Sequence, residues 1–413
     1  MNIADVLFCA GSAGFFFDDQ RAIKKGASSD GFTYEDEPVT PGFKTIRQAG
    51  ECISIMIILD NGAIALGDAA AVQYSGAGGR DPLFLAEHYL PFLNEEIRPL
   101  LTGYDVGCFR EADAMLAGVR KDGKKLHTAL RYGLSQALLD AVAKASGRLR
   151  VEVICEEYDL PVICEPVPVF GQTGDHRYDS ADRMILKHVD VLPHALINNV
   201  EDKLGRDGNK LVEYVEWLAA RIRKLRLDED YSPDIHIDVY GNLGTIFDND
   251  VARMSEYLAG LNDVAGEFPL YIEGPVDMEE KAAQIDSLSM LRDSLQRSGI
   301  DVKIVADEWC NTLEDIRDFT DAACCDMIQV KTPDLGGMNN VVEAVLYCRK
   351  KKMESYQGGT CNETDMSARC CVHAALAARP DRMLAKPGMG FDEGYMIVRN
   401  EMERTLALLS RKK

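Results

Sequence analysis

Between Ile235 and Gly337 one device is repeated: a short apolar segment that ends in a charged side chain. The segments read Ile235-His236-Ile237-Asp238-Val239-Tyr240, Pro269-Leu270-Tyr271-Ile272-Glu273, Val302-Lys303-Ile304-Val305-Ala306-Asp307 and Met327-Ile328-Gln329-Val330-Lys331. Side chains alternate along a strand, so Ile235, Ile237 and Val239 share one face and His236, Asp238 and Tyr240 the other. By the same parity Asp307 opposes Val302, Ile304 and Ala306, while Gln329 and Lys331 oppose Ile328 and Val330. The segments recur at intervals of roughly 25 to 35 residues, a strand plus a returning helix, which predicts consecutive βα units of a parallel barrel. Each strand of the run then aims its charge at a common centre.

Barrels of this kind carry their active side chains at the C-terminal strand ends. Asp238, Glu273 and Asp307 crowded there repel one another unless a cation lies between them. Oxygen donors, with no Cys or His at matching positions, favour a hard ion such as Mg²⁺ over zinc. Lys331, one strand further round, is then the natural base.

A chain of 413 residues has room for a whole barrel and a second domain. Its net charge of −21 argues against a nucleic-acid backbone or an anionic membrane as partner. No apolar run approaches the roughly 18 residues of a spanning helix, and Met1-Asn2-Ile3-Ala4-Asp5 lacks a basic signal-peptide start, so a cytoplasmic protein is expected. The 12 cysteines are scattered without a Cys-x-x-Cys pair, which signals reduced thiols rather than a disulfide framework or a zinc ribbon.

Residues 1–160 lack the βα period and are expected to form an N-terminal α+β capping domain, with 161–413 forming the (β/α) barrel. Ser54 to Ala65 reads as a hairpin about Asp60-Asn61-Gly62, and Leu126 to Ala145 has helical spacing at Leu130, Leu134, Leu138 and Val142. Gln73-Tyr74-Ser75-Gly76-Ala77-Gly78-Gly79-Arg80-Asp81 lacks the Walker lysine and any dinucleotide fingerprint, so it is read as a mobile loop over a substrate. Val167 to Gln172 reads as the first barrel strand, Met184 to Leu192 as the second and Met383 to Gly388 as the last. The second leaves His194 at a strand end, where a structural and an acid–base role are both open. Leu211 to Leu225, Asn340 to Lys350 and Glu401 to Leu409 read as helices, with Thr332 to Gly337 as a loop. The glycine turn before Thr364 fits either an anion site or a plain helix cap. His236 and His373 read as structural.

Asp, Glu, Asp and then Lys on successive strand ends is the pattern of the enolase superfamily. The surrounding wording is more specific: His236-Ile237-Asp238-Val239-Tyr240-Gly241, Ile272-Glu273-Gly274-Pro275, Ala306-Asp307-Glu308-Trp309, Lys331-Thr332-Pro333-Asp334-Leu335-Gly336-Gly337 and Gly358-Gly359-Thr360-Cys361-Asn362-Glu363-Thr364 closely resemble the methylaspartate ammonia-lyase family. The resemblance extends from Phe16-Phe17-Asp18-Asp19-Gln20-Arg21 to Leu384-Ala385-Lys386-Pro387-Gly388, and departs most at Gln357 and in Asp365 to Ala378.

It implies an enolase-like fold and reversible elimination of ammonia from L-threo-3-methylaspartate to give mesaconate, through an enolate-like intermediate. Asp238, Glu273 and Asp307 would hold Mg²⁺, Lys331 would take the C3 proton, and His194 would serve the opposite face. Gln172, Gln329, Thr360 and Cys361 match positions that bind the two carboxylates, while Phe170, Tyr356 and Leu384 would shape the pocket. The resemblance further implies a homodimer, activation by K⁺ and a place in amino-acid degradation. A dehydratase, racemase or cycloisomerase of the same superfamily is the alternative; such enzymes often carry Lys-x-Lys on an early strand, where this chain offers His194.

Overall fold

The computed structural model describes residues 1–411. The chain opens with a three-stranded antiparallel sheet of β1 (Ile3–Asp18), β2 (Arg47–Leu59) and β3 (Ile64–Ala70), in the order β1-β2-β3. The hairpin about Asn61 is present with longer arms. The sequence reading did not assign β1, because only scattered positions along it face the core. The helix Thr128–Ser146 packs on the sheet and is buried on nearly every side, which its all-round apolar sequence requires. Gly147, with φ +66°, ends it in a left-handed cap.

Eight parallel strands then close into a barrel: β4 (Val169–Phe170), β5 (Val191–His194), β6 (Asp234–Asp238), β7 (Leu270–Glu273), β8 (Val302–Ala306), β9 (Met327–Val330), β10 (Glu354–Gln357) and β11 (Arg382–Leu384). Each is followed by a helix, the last being Asp392–Ser410. The helix Asn209–Leu225 is typical. It buries Leu211, Tyr214, Val215, Leu218, Ala219 and Ile222, the three-and-four spacing that turns one apolar stripe to the barrel. The alternation along the strands sorts their residues as expected. Ile235, Ile237, Ile304 and Ile328 join the shell between barrel and helices, whereas Phe170, Val191, Tyr271, Val305, Met327, Tyr356 and Leu384 fill the interior.

Four local readings are corrected. Met184 to Leu186 belongs to the helix Arg177–Leu186, where Ala181, Met184 and Ile185 share a buried face, so the strand begins only at Val191. The last strand stops at Leu384. Thr332–Leu335 forms a helical turn with Pro333 in its first turn rather than an open loop. The helix Asp392–Ser410 also begins well before Glu401.

Cap and barrel meet along the segment after β10. Gly14 N–H donates to the Glu363 carbonyl at 3.0 Å, Asn362 Nδ2 to the Phe16 carbonyl at 2.9 Å, and Thr364 Oγ1 to Asp68 at 2.6 Å. Thr364 also caps the helix Asp365–Ala378. Among the described residues no helix is long and apolar enough to cross a membrane, and all 12 cysteines are free.

Glycines set the distance between the cap sheet and its helix. A Cβ on Gly133 would lie 2.4 Å from the Ala69 backbone nitrogen, and one on Gly67 would lie 2.3 Å from the Gly133 carbonyl. Backbone cannot rotate away as a side chain can, so Gly133→Ala should lose about 1–3 kcal/mol through overpacking despite its better helix propensity. Gly260, exposed on the helix Val251–Ala265 with nothing within 4 Å of its Cβ position, is the control. Thermal unfolding should fall for Gly133→Ala and hold or rise for Gly260→Ala; equal behaviour would contradict the close packing.

Candidate active site

Parallel register brings the charged strand ends to one level. Asp238 is aligned with Glu273 across β6 and β7, and Ile237 with His194 across β6 and β5. Asp307 follows β8 and Lys331 follows β9, so His194, Asp238, Asp307 and Lys331 rim a cavity at the C-terminal mouth. The cavity is narrow, with a volume of about 60 Å³.

Lys331 Nζ lies 2.7 Å from Asp307 Oδ1. Asp307 is fully buried; burial would raise its pKa, but Lys331 and then Arg80 outweigh this and hold it below the usual carboxylate value. The other acids lack such partners. Burial first, and then Glu273, Glu308 and Asp307, push Asp238 well above the normal range. Burial and Asp307 likewise push Glu273 up to about 8 and Glu308 up to about 7. The cluster resists carrying all its negative charge at once.

His194 stands across the barrel from Lys331, because β5 and β9 are four strands apart in a ring of eight. Its Nε2 lies 3.7 Å from Asp238 Oδ2, and burial lowers its pKa to about 4, which leaves the ring neutral. His194, Ala195 and Leu196 have φ of +61°, +66° and +50°. Three successive left-handed residues other than glycine are costly, and strain of this kind clusters at functional sites.

Gln329 donates through Nε2 to both Glu273 Oε1 and the Tyr356 hydroxyl oxygen, while its Oε1 is buried and unpartnered. Tyr356 donates to Glu273 at 2.7 Å, and His236 Nε2 lies 2.8 Å from the other Glu273 oxygen. Gln172 Nε2 donates to the carbonyls of Ala385 and Gly388. Cys361 donates its thiol proton to Gln73 Oε1 at 3.1 Å, and burial raises its pKa to about 12, so it is no thiolate.

Of the residues singled out from sequence, Lys331, His194, Gln172, Gln329, Thr360, Cys361, Tyr356, Leu384, Asp238 and Asp307 line the cavity. Glu273 sits beneath them, fully buried. Phe170 lies in the barrel interior with Tyr356 and Leu384, its ring stacked on that of His236 with centroids 4.3 Å apart.

The glycine-rich loop does reach over the mouth. It delivers Arg80, 2.8 Å from Asp334 and 3.6 Å from Asp307, and is itself anchored by Asn311 Nδ2 donating to the Gly78 carbonyl at 2.7 Å. Gln73, Tyr74, Arg80, Tyr240 and Glu308 are wall residues that the sequence reading left without a role. A lone arginine in a glycine-rich run, and a second acid beside Asp307, were the available signals.

The donor set fits a hard divalent cation. The potential ligand atoms that group within 4.8 Å come from His194, Asp238 and Glu273, so an imidazole joins the oxygens and Asp307 is turned to Lys331 and Arg80. The buried, unpartnered Glu308 Oε2 and the raised carboxylate pKa values are the observations that favour a cation there.

A family model described as methylaspartate ammonia-lyase N-terminus matches residues 1–159, and one described as methylaspartate ammonia-lyase C-terminus matches residues 161–411. The chain is 63% identical over 412 residues to the methylaspartate ammonia-lyase of Citrobacter amalonaticus, with 100% of each covered. A crystal structure of that enzyme containing (2S,3S)-3-methylaspartic acid matches with a TM-score of 0.98 over 99% of this chain and 100% of that one. An Mg complex of β-methylaspartase from Clostridium tetanomorphum, 53% identical, matches at 0.94 over 100% of both chains. Muconate cycloisomerase from Pseudomonas fluorescens shares the fold, at 14% identity and a TM-score of 0.63 over 95% of this chain and 87% of that one.

Binding of a cation to the folded state alone must raise stability. Mg²⁺ at about a hundredfold its dissociation constant should add about 2.7 kcal/mol and lift the unfolding midpoint by roughly 3 °C. The shift should vanish in Asp238→Asn/Glu273→Gln; a wild-type midpoint indifferent to Mg²⁺ would refute the site.

Proposed function

Because the chain belongs to the methylaspartate ammonia-lyase family of carbon–nitrogen lyases, we propose that it reversibly removes ammonia from L-threo-3-methylaspartate to give mesaconate, with Mg²⁺ to be held by Asp238, Glu273 and, once its carboxylate turns from Lys331 and Arg80, Asp307. The observation that carries this reading is the pairing of Lys331 and His194 on opposite walls of one buried, acid-lined cavity. When bound, Mg²⁺ supplies the positive charge that offsets negative charge gathering on the substrate carboxylate.

In its neutral form, with its ammonium proton given up, Lys331 Nζ accepts the proton from C3 of the natural diastereomer. The electron pair of that C–H bond becomes the C2–C3 double bond, and the C2–N bond breaks with its electrons going to nitrogen, which leaves as ammonia. His194 faces the other side of C3 and handles the proton of the opposite diastereomer. As a neutral ring it can also donate one hydrogen bond to a substrate carboxylate.

Gln172, Gln329 and Thr360, with the backbone N–H of Cys361, hold the two carboxylates in a fixed pose, which converts binding energy into orientation. Tyr356 and Leu384 bound the space for the methyl and amine groups, and Phe170 supports that floor from below. The cap loop with Gln73, Tyr74 and Arg80 closes the mouth against water. Activation by K⁺, a homodimeric assembly and a cytoplasmic location are part of the same proposal.

The ultraviolet absorbance of mesaconate follows the reaction directly. Lys331→Ala should lower kcat by about 10²–10⁴, the range of a lost general base. Cys361→Ala removes only a thiol hydrogen bond worth about 1 kcal/mol and should keep turnover within roughly tenfold. Equal losses would overturn the assignment of the base, and no mesaconate from the wild type would move the activity to another carboxylate substrate of the superfamily.

A further inference from the structure

Behind the loop that carries Thr360 and Cys361 lies a lysine with no part in the chemistry above. Lys386 follows β11 and is 0% exposed. Its ammonium donates to the Thr332 hydroxyl oxygen at 2.9 Å and the Gly358 carbonyl at 2.8 Å, and lies 2.8 Å from Glu363 Oε2. Glu363, equally buried, accepts from Tyr132 and Thr332 on one oxygen and from the Thr360 N–H, at 3.2 Å, on the other. A Cβ on Gly359 would lie 2.1 Å from Glu363 and 2.6 Å from Lys386 Nζ, so the pair lies directly against the loop backbone.

Three parts of the molecule meet on these two side chains: the cap helix through Tyr132, the residue after Lys331 through Thr332, and the loop from Gly358 to Thr360. Burying an ion pair is expensive, and packed apolar residues of similar volume often hold a fold as well or better. What such packing lacks is direction. Each donor and acceptor here fixes one backbone or hydroxyl group at a set distance and angle.

We propose that Lys386 and Glu363 are positioning residues for substrate binding, which hold the Gly358–Cys361 loop and Thr332 in a single arrangement and thereby set Thr360, Cys361 and Lys331 against the substrate. The inference rests on the reading that these residues bind methylaspartate. Neither side chain touches the cavity; both act through the backbone that does.

The test compares Lys386→Met, Glu363→Gln and the two combined, measuring the unfolding midpoint, its rise with Mg²⁺, and kcat and KM for 3-methylaspartate. Single variants strand a buried charge or leave donors unmatched and should unfold earlier; the double variant, neutral throughout, should recover much of that loss. It should nevertheless show kcat/KM lower by about tenfold to a hundredfold, chiefly through KM, with the Mg²⁺-induced rise intact. Wild-type KM and kcat in the double variant would reduce the pair to structural filling and overturn the proposal. Should the double variant not fold, the same KM readout on Glu363→Gln, which preserves size and shape, decides. Absence of mesaconate formation by the wild type would instead defeat the underlying reading, so the two failures are distinct.

Discussion

Carboxylates of one sign, taken out of water and set side by side, govern the rest of this molecule. Asp238, Glu273, Asp307 and Glu308 are each at most 5% exposed at one barrel mouth. Burial disfavours their charged forms first and their mutual repulsion adds to it, so the pKa values of Asp238, Glu273 and Glu308 are raised. Asp307 escapes because Lys331 and Arg80 flank it. The site is thus polarised even before substrate arrives. One flank is neutralised by protein cations, and the other is built to receive a positive ion.

The barrel alone could not maintain this arrangement. Parallel register aligns Asp238 with Glu273, but the mouth would be open to water without the cap. Arg80 and Gln73 come from the loop after β3, far from their partners in sequence. That loop runs on from β3, which packs closely on the cap helix at Gly67 and Gly133, and is anchored to the barrel by Asn311 Nδ2 donating to the Gly78 carbonyl and by the Gln73 N–H donating to Thr360 Oγ1. Packing in the cap therefore bears on chemistry at the barrel rim. The buried Lys386–Glu363 pair sits where the two units join and gives that dependence a physical route.

Much of this was legible in the sequence, for a definite reason. Alternation along a strand fixes the facing of each residue, so the inward set Asp238, Glu273, Gln329 and Lys331 could be read before any fold was known. Helices with one apolar stripe, such as Asn209–Leu225, were equally plain. The bounds of short strands were less plain, since β4 holds two residues and β11 three, too few to show a period, although both were located. Met184 to Leu186 looked like strand because a short apolar run fits either form. Gln73 and Tyr74 carried no local signal of their role, and Arg80 only that of a lone arginine among glycines; the role itself arises when the cap folds over the barrel. His194 was placed at its strand end by sequence, yet its approach to Asp238 depends on the left-handed turn at His194 to Leu196, which ordinary residues do not announce.

The central claim is that Lys331 delivers and removes the C3 proton on one defined face. Running the reaction backwards, from mesaconate and ammonia in deuterium oxide with Mg²⁺, writes that event into the product. Proton NMR of the recovered 3-methylaspartate should find deuterium at C3 in the L-threo isomer for the wild-type protein. With Lys331→Ala that labelled isomer should disappear while Mg²⁺ still raises the unfolding midpoint. L-threo product formed at the wild-type rate by Lys331→Ala would contradict the account.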